Sequence, residues 1–424
     1  MKRKITKLFI LLSLISFVGC GTNNPSSSDL PSSSVDVNST DYEVVDKSVS
    51  NVTTKDGSKV QPFNTIVALR TFSQKDHHSI YPTFNSEMQR LHILFDRYND
   101  FVDGEGKDIV NLKTINDSYG NGEKLVVDQD LIDLLNLSIK LSELTEGYFN
   151  PTMGELIDTW NYRVEDGEKY TRYSPYCFQD KDPREQDVLD SKNKIIPYSE
   201  LSSYIVIDDE ENTVEFKKYQ NVDKVTLSLG AIAKGYAVEK VKAYVSTFDV
   251  PAMIDGGSSS SYALKNNPNP DRDYWLVGIA SPYKVAGSVK AIATIKIEGT
   301  YTLSVSGDYE SCFKNEEGII RHHILNPYSG YPENNYRVVS LKSTSRSDVL
   351  DGLSTALFSI SSLDKIQEIV GKVETEYGIE IAILLEKEID QANKKIDIYV
   401  DSIYDSMINE LSPTHCNDKI NIEG

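Results

Sequence analysis

Between residues 63 and 399, strand-like and helix-like runs follow one another without a strict βαβα rhythm, and this irregular order most restricts the fold. β-Branched and apolar residues predict strands over 63–72, 204–207, 214–216, 252–254, 274–279, 289–297 and 301–305. Apolar residues at helical spacing predict helices over 86–101 (Met88, Leu91, Leu94, Phe95, Tyr98), 131–144, 230–245 and 347–360. Such an order argues for an α+β fold, a largely antiparallel mixed sheet with packed helices. No GxGxxG fingerprint and no P-loop occurs, so a dinucleotide-binding βαβ domain is not expected. Residues 163–194, charged and rich in tyrosine, read as a surface insertion.

The first residues stand apart. Lys2, Arg3, Lys4 and Lys7 precede an apolar run over 8–18, too short to cross a bilayer but long enough for a signal-peptide core. Phe17-Val18-Gly19-Cys20 resembles a bacterial lipobox, which makes Cys20 the lipidated, palmitate-bearing first residue of the mature chain. The other reading is an ordinary signal peptide that happens to hold a cysteine. The Ser-, Asn- and Pro-rich stretch that follows lacks apolar periodicity and cannot offset its ordering entropy by burial. The expected organisation is a signal peptide over 1–19, lipidated Cys20 and a flexible tether over 20–58, a folded domain over 61–405 and a tail over 406–424. That places the domain on the extracytoplasmic face of a bacterial cell membrane.

Charge narrows the ligands. The 424 residues carry 64 acidic and 44 basic side chains, a formal net charge of −20. Such a field repels phosphate backbones, so nucleic acid is not an expected partner. An anionic ligand needs a local device, a metal ion or a helix N-terminus, to offset it. Cys177, Cys312 and Cys416 show neither a CxxC nor zinc spacing; buried thiols and a single disulfide are both open.

Three segments bear on chemistry. Asp351 and Thr355 lie four apart on the predicted helix over 347–360, a hard-oxygen pair of the kind Mg²⁺ accepts; a capping or surface pair is the alternative. Ser228-Leu229-Gly230-Ala231-Ile232-Ala233-Lys234 leads a strand-like run through small residues into a helix, whose free N–H groups favour an anion. Lys234 in the first turns opposes the dipole, which makes sense if it reaches a phosphate or flavin; a solvated lysine at a packed corner is the plain alternative. Ser306-Gly307-Asp308-Tyr309 and His322-His323-Ile324-Leu325-Asn326-Pro327 complete the set. Adjacent side chains on a strand face opposite ways, so a single histidine of the pair can enter a given site.

In this order, AIAKGYA, SGDY, HILNPYSGYP and DGLSTALF resemble the ApbE family of FAD:protein FMN transferases. Thr145–Gly154 (TEGYFNPTMG), Leu156–Tyr162 and Trp275–Pro282 extend the resemblance, which covers residues 61–399. It implies a T-fold-like flavin transferase architecture. It also implies Mg²⁺ held by the Asp351 carboxylate, the Thr355 hydroxyl and the Ala231 carbonyl, with the helix turn at Ser354 contributing. Lys234 matches a lysine that contacts FAD. Trp160, Asn161 and Tyr162 match an aromatic segment lining the flavin site, and Tyr98 a tyrosine from the first helix. Ile324 or Leu325 matches a nucleotide contact, and His323 a histidine near the transferred phosphate. Ser228, where the family usually has Asp, and Ser258, after Gly256-Gly257, depart from the pattern near the nucleotide site.

The resemblance implies Mg²⁺-dependent transfer of FMN from FAD to a threonine hydroxyl of an exported acceptor flavoprotein, with release of AMP. Three alternatives share the anchor and tether: a non-catalytic FAD-binding lipoprotein, a pyrophosphatase splitting FAD to FMN and AMP, and a solute-binding lipoprotein.

Overall fold

The computed structural model describes residues 43–257, 260–283, 291–309 and 311–422. The signal-peptide region, Cys20 and Ser258 lie outside the described residues. Nine strands form the main sheet, and their order in the sheet is their order in the chain. They are β1 (Val45–Ser48), β2 (Ala68–Thr71), β3 (Ala252–Asp255), β4 (Ser260–Leu264), β5 (Tyr301–Gly307), β6 (Val338–Ser343), β7 (Ala382–Asp390), β8 (Lys395–Val400) and β9 (Cys416–Asn421). Neighbours pair antiparallel throughout except β8 with β9, which run parallel.

The excursion between β2 and β3 carries α1 (Gln74–Phe95), α2 (Gln129–Leu144), α3 (Gly154–Asn161) and α4 (Ala233–Ser246). Between β6 and β7 lie α5 (Ser347–Phe358) and α6 (Leu363–Tyr377). The helices cover one face of the sheet, where Leu69, Ile254, Leu341 and Ile383 meet Ile80, Phe84, Val238 and Leu353 in the largest core. The other face buries Leu303, Val338, Leu384 and Ile398 under Trp275, Ile295 and Tyr404. Alternation along each strand assigns side chains to the two cores. β5 breaks that pattern on one side only. Tyr301 and Leu303 enter the second core, whereas Thr302, Ser304 and Ser306 face the helices and meet serines of α5. A small third core gathers Met153, Leu156, Trp160, Val188, Phe313 and Leu325.

Several boundaries differ from the sequence expectations. The tether over 20–58 ends earlier than composition suggests: β1 pairs with β2, Val49 and Val52 are buried, and Arg70 holds Asp46 through two hydrogen bonds of 2.7 Å. Averaging over a Ser-rich window hid the valines at 44, 45, 49 and 52. The tail expected over 406–424 is likewise structured across its described residues, which end at 422. Ile408–Leu411 pairs with the strand Ala291–Ile297, and β9 closes the main sheet. The first strand shrinks to Ala68–Thr71, preceded by a 3₁₀ turn at Pro62–Asn64.

The first helix starts twelve residues before the expected 86, capped by Ser73, whose hydroxyl accepts the Asp76 N–H at 3.1 Å. Pro82 and the polar run before it masked that beginning. The helix ends at Phe95. Asp96 accepts the Tyr98 and Asn99 N–H groups, so Tyr98 stands on the loop beyond the helix, not on the helix itself. The 163–194 insertion holds a hairpin (Tyr162–Glu165 with Glu168–Thr171), the helix Glu185–Lys192 and a disulfide from Cys177 to Cys312.

Candidate active site

α4 begins after Ile232, a residue with no side-chain donor or acceptor to cap a helix, and it has no acidic residue in its first turn. The missing cap comes from another element. Asp351, on α5, accepts the Gly235 N–H at 2.8 Å through Oδ2. Gly235 is the third residue of α4, so its N–H has no carbonyl of its own helix to donate to, and the Asp351 carboxylate takes the place of a cap. The two helices touch at Gly235, where a Cβ would lie 2.5 Å from Asp351 Cβ. Only glycine fits.

Asp351 is 3% exposed. Burial pushes its pKa up, against the pull of the Lys234 charge and the Gly235 N–H. Ser354 Oγ donates to the Asp351 carbonyl at 3.0 Å and meets Ser306 Oγ at 2.8 Å. Thr355 Oγ1 lies 3.4 Å from Ser306 Oγ and is half-buried. Lys234, half-buried, donates to the Gly230 carbonyl at 3.2 Å. The structure thus brings Ala231, Lys234, Asp351, Ser354 and Thr355 together, with the β5 hydroxyls as a floor. Sequence reasoning missed Thr302 and Ser304; their signal was a polar period of two on a strand otherwise apolar.

These donors suit a hard divalent cation: one buried carboxylate, a hydroxyl and a backbone carbonyl, all oxygen. Among the described residues no three His, Cys, Asp or Glu side chains cluster as a metal site. Such a set therefore needs further oxygens from a phosphate ligand or water.

Ser228 lies close by. Its N–H donates to the Pro151 carbonyl at 2.7 Å, and the Gly154 N–H donates to the Thr226 carbonyl at 2.9 Å. These bonds lay the TEGYFNPTMG segment alongside the approach to α4. α3 follows from it directly.

Trp160 ends inside the third core rather than on a binding surface. It is fully buried, donates from its indole to the Gly330 carbonyl at 2.8 Å, and packs edge-on to Tyr331. Asn161 and Tyr162 are half-buried. Tyr98 is 45% exposed, beneath the Arg97 guanidinium, and Arg97 in turn pairs with Asp158 of α3 at 2.7 Å. Tyr162 is near enough to act on Tyr98 electrostatically.

The two histidines divide as strand geometry requires. His322 is fully buried, with Nε2 donating to the Glu333 carbonyl at 2.9 Å and Nδ1 accepting the Ile324 N–H at 3.3 Å. Burial lowers its pKa to about 3, so the ring stays neutral. It packs edge-on to Phe358, one turn beyond Thr355, which joins the hairpin of Cys312–Lys314 and Ile320–His322 to the Thr355 end of α5. His323 is exposed, and its Nδ1 lies 3.2 Å from the Ser311 carbonyl. A carbonyl can only accept, so Nδ1 carries the proton and Nε2 is the basic nitrogen. Ile324 and Leu325 are 5% and 6% exposed, one in the main core and the other in the third, so their side chains are taken up by packing.

Arg337 is a further residue that sequence reasoning passed over. It pairs with Asp308 of the SGDY segment and with Glu388 at 2.5 Å, and its carbonyl accepts the Asp308 N–H at 3.1 Å. Burial raises Asp308 to about 6 despite Arg337.

A sequence model of the ApbE family matches residues 63–381. The chain belongs to the ApbE family. Among its relatives, the FAD:protein FMN transferase of Vibrio cholerae is 27% identical over 278 residues, 65% of this chain and 72% of the relative. That of Treponema pallidum is 24% identical over 306 residues, 69% and 75% of the two chains. The solved ApbE protein of Thermotoga maritima superposes with a TM-score of 0.59 at 23% identity, over 81% of this chain and 94% of its own. The flavin transferase ApbE from Vibrio cholerae gives 0.59 at 18% identity, over 86% and 99%. At these identities the structural likeness speaks for the fold: the large, mostly antiparallel sheet with its helices is an ApbE architecture.

Proposed function

We propose that this protein transfers FMN from FAD to a hydroxyl of another protein. The observation that carries the reading is the buried Asp351 carboxylate at the N-terminus of α4, with Thr355 and Lys234 beside it, in a member of a family whose relatives are named FAD:protein FMN transferases. A strongly acidic chain that places a helix N-terminus and a lysine at one spot is fitted to hold a diphosphate there.

The acceptor oxygen, from a threonine in our reading, attacks the flavin-side phosphorus of FAD. The bond to the AMP oxygen breaks, AMP leaves, and FMN remains on the acceptor as a phosphoester. Phosphoryl transfer of this kind needs positioning and charge neutralisation more than covalent help. Lys234, in the first turn of α4, binds the diphosphate; the Ala233 and Gly235 N–H groups are already given to the Leu229 carbonyl and to Asp351. His323 Nε2 takes the proton from the attacking hydroxyl, as its tautomer allows. Asp351, Thr355 and the Ala231 carbonyl, with the Ser354 turn, would hold Mg²⁺, which supplies neutralisation of phosphate charge when bound.

We place the reaction outside the cytoplasm, on a chain anchored through lipidated Cys20 by the tether. A disulfide from Cys177 to Cys312 accords with an oxidising compartment. The acceptor is then an exported flavoprotein. The test is direct: incubation with FAD, MgCl₂ and an acceptor domain should leave fluorescent flavin on the acceptor after denaturing electrophoresis. No label in the presence of Mg²⁺ would sink the proposal. His323 is open to solvent, so AMP release without acceptor would instead mark FAD hydrolysis.

A further inference from the structure

The 162–184 arm is stitched to both sides of the site. At its root, Arg172 donates to the carbonyl of Thr159 at 2.6 Å, beside Trp160. At its far side, the Tyr173 hydroxyl donates to the His322 carbonyl at 2.9 Å, and Arg321 pairs with Asp182 at 2.7 Å. Backbone pairing between Ser174 and Cys312, in both directions at 3.0 and 3.2 Å, runs alongside the Cys177–Cys312 disulfide. Cys312 directly follows Ser311, the residue whose carbonyl holds His323.

Two aromatic side chains of this arm are more than 60% exposed. Tyr176 and Phe178, which flank Cys177, are 63% and 65% exposed, with ring centroids 5.8 Å apart. Exposed aromatics on a floppy loop would be unremarkable. Here the disulfide and the bridge from Lys314 N–H to the Phe178 carbonyl at 3.0 Å hold them still. A rigid aromatic pair loses little entropy on binding, the property that makes such residues interface anchors.

We propose that Tyr176 and Phe178 are the docking point for the protein that receives the flavin. The inference rests on the transfer reading above. Its warrant is continuity: each aromatic is one residue from Cys177, the disulfide joins Cys177 to Cys312, and His323 is hydrogen-bonded across the hairpin to Ser311, the neighbour of Cys312. Two backbone steps of ~3.8 Å, the 4.7 Å between the Cα atoms of the disulfide and a cross-strand step of about 5 Å bound the Cα path at roughly 17 Å, which an extended acceptor covers in about five residues. The acceptor therefore carries an apolar side chain within about five residues of its threonine. A hydrolase acting on FAD alone has no use for such a surface.

The probe is an acceptor domain that the wild-type protein labels. The double variant Tyr176→Ser/Phe178→Ser should raise the KM for that acceptor about tenfold, as loss of an interface anchor does, and leave kcat and FAD affinity unchanged. Replacing the acceptor's nearby apolar residue by serine should raise KM similarly, and the two changes together should not add. An unchanged acceptor KM in the double variant overturns the docking point while leaving the transfer reading intact. Absence of labelling by wild type overturns both. A wild-type dimer that the double variant dissolves, with KM unchanged, assigns the pair to self-association and also overturns the proposal. If the double variant melts without cooperativity, Phe178→Lys alone is read in the same way.

Discussion

The two ends of the site are held by opposite means. At the carboxylate end, Asp351 is sealed between α4 and α5, on helices that pack into the main core, with no room for even a methyl group at Gly235. At the histidine end, His323 is exposed on a short hairpin whose rigidity comes from a disulfide and from an arm inserted elsewhere in the chain. On the transfer reading proposed above, the difference matches the partners each end would serve. A diphosphate of constant shape suits a site built into the core, where charge is desolvated and interactions are strong. A protein acceptor would approach the phosphorus from outside, and on that reading its base has to stand in the open.

Substitutions can break or sharpen this contrast. The largest effect belongs to Asp351→Asn. The amide oxygen can still accept the Gly235 N–H, so the fold should survive, yet labelling should fall by about a thousandfold or more with loss of the carboxylate charge. A variant retaining most of its labelling rate would show that Asp351 is only a helix cap. His323→Ala comes next, with a drop of about a hundredfold in transfer rate. Its melting temperature and FAD affinity should not change, because the ring is exposed; a large loss of FAD affinity would place His323 in the binding end instead.

Stability effects then separate the two ends. Gly235→Ala should cost about 3 kcal/mol in denaturant unfolding, through overpacking against Asp351 and the Ser347 carbonyl. Cys177→Ser should cost about 2 kcal/mol, and it should raise the acceptor KM while sparing FAD affinity, since the disulfide serves only the histidine end. Equal loss at both ends would dissolve the distinction.

The smallest effect is a pH dependence. His322 has a folded pKa of about 3 against an ordinary 6.5, so between those values the unfolded chain binds the extra proton. Stability attributable to it should therefore fall as pH drops through that window, by about 1.4 kcal/mol per pH unit at most. His322→Gln should show a shallower decline between pH 6.5 and 5 than wild type. Parallel curves would mean that His322 is not buried neutral.

The direction each of these side chains faces was legible from the residues alone, because helical spacing places Asp351 and Thr355 on one face and strand alternation separates His322 from His323 whatever surrounds them; their chemical roles came only with the family resemblance. The α+β class followed for the same reason: periodicity is local. Boundaries were less legible where composition averages over unlike residues. Val45, Val49 and Val52 were submerged in a polar stretch, and Pro82 with the polar run before it concealed about the first three turns of α1.

What only the tertiary structure decided is which groups meet across distance in the chain. That Asp351 caps a helix 116 residues away, that a disulfide spans 135 residues to brace the His323 hairpin, and that Trp160 spends its indole on the Gly330 carbonyl all depend on long-range packing. No local pattern encodes such pairings. A side chain's spacing along its own element sets the direction it faces, whereas its partner is set by how whole helices and sheets bury their apolar faces together.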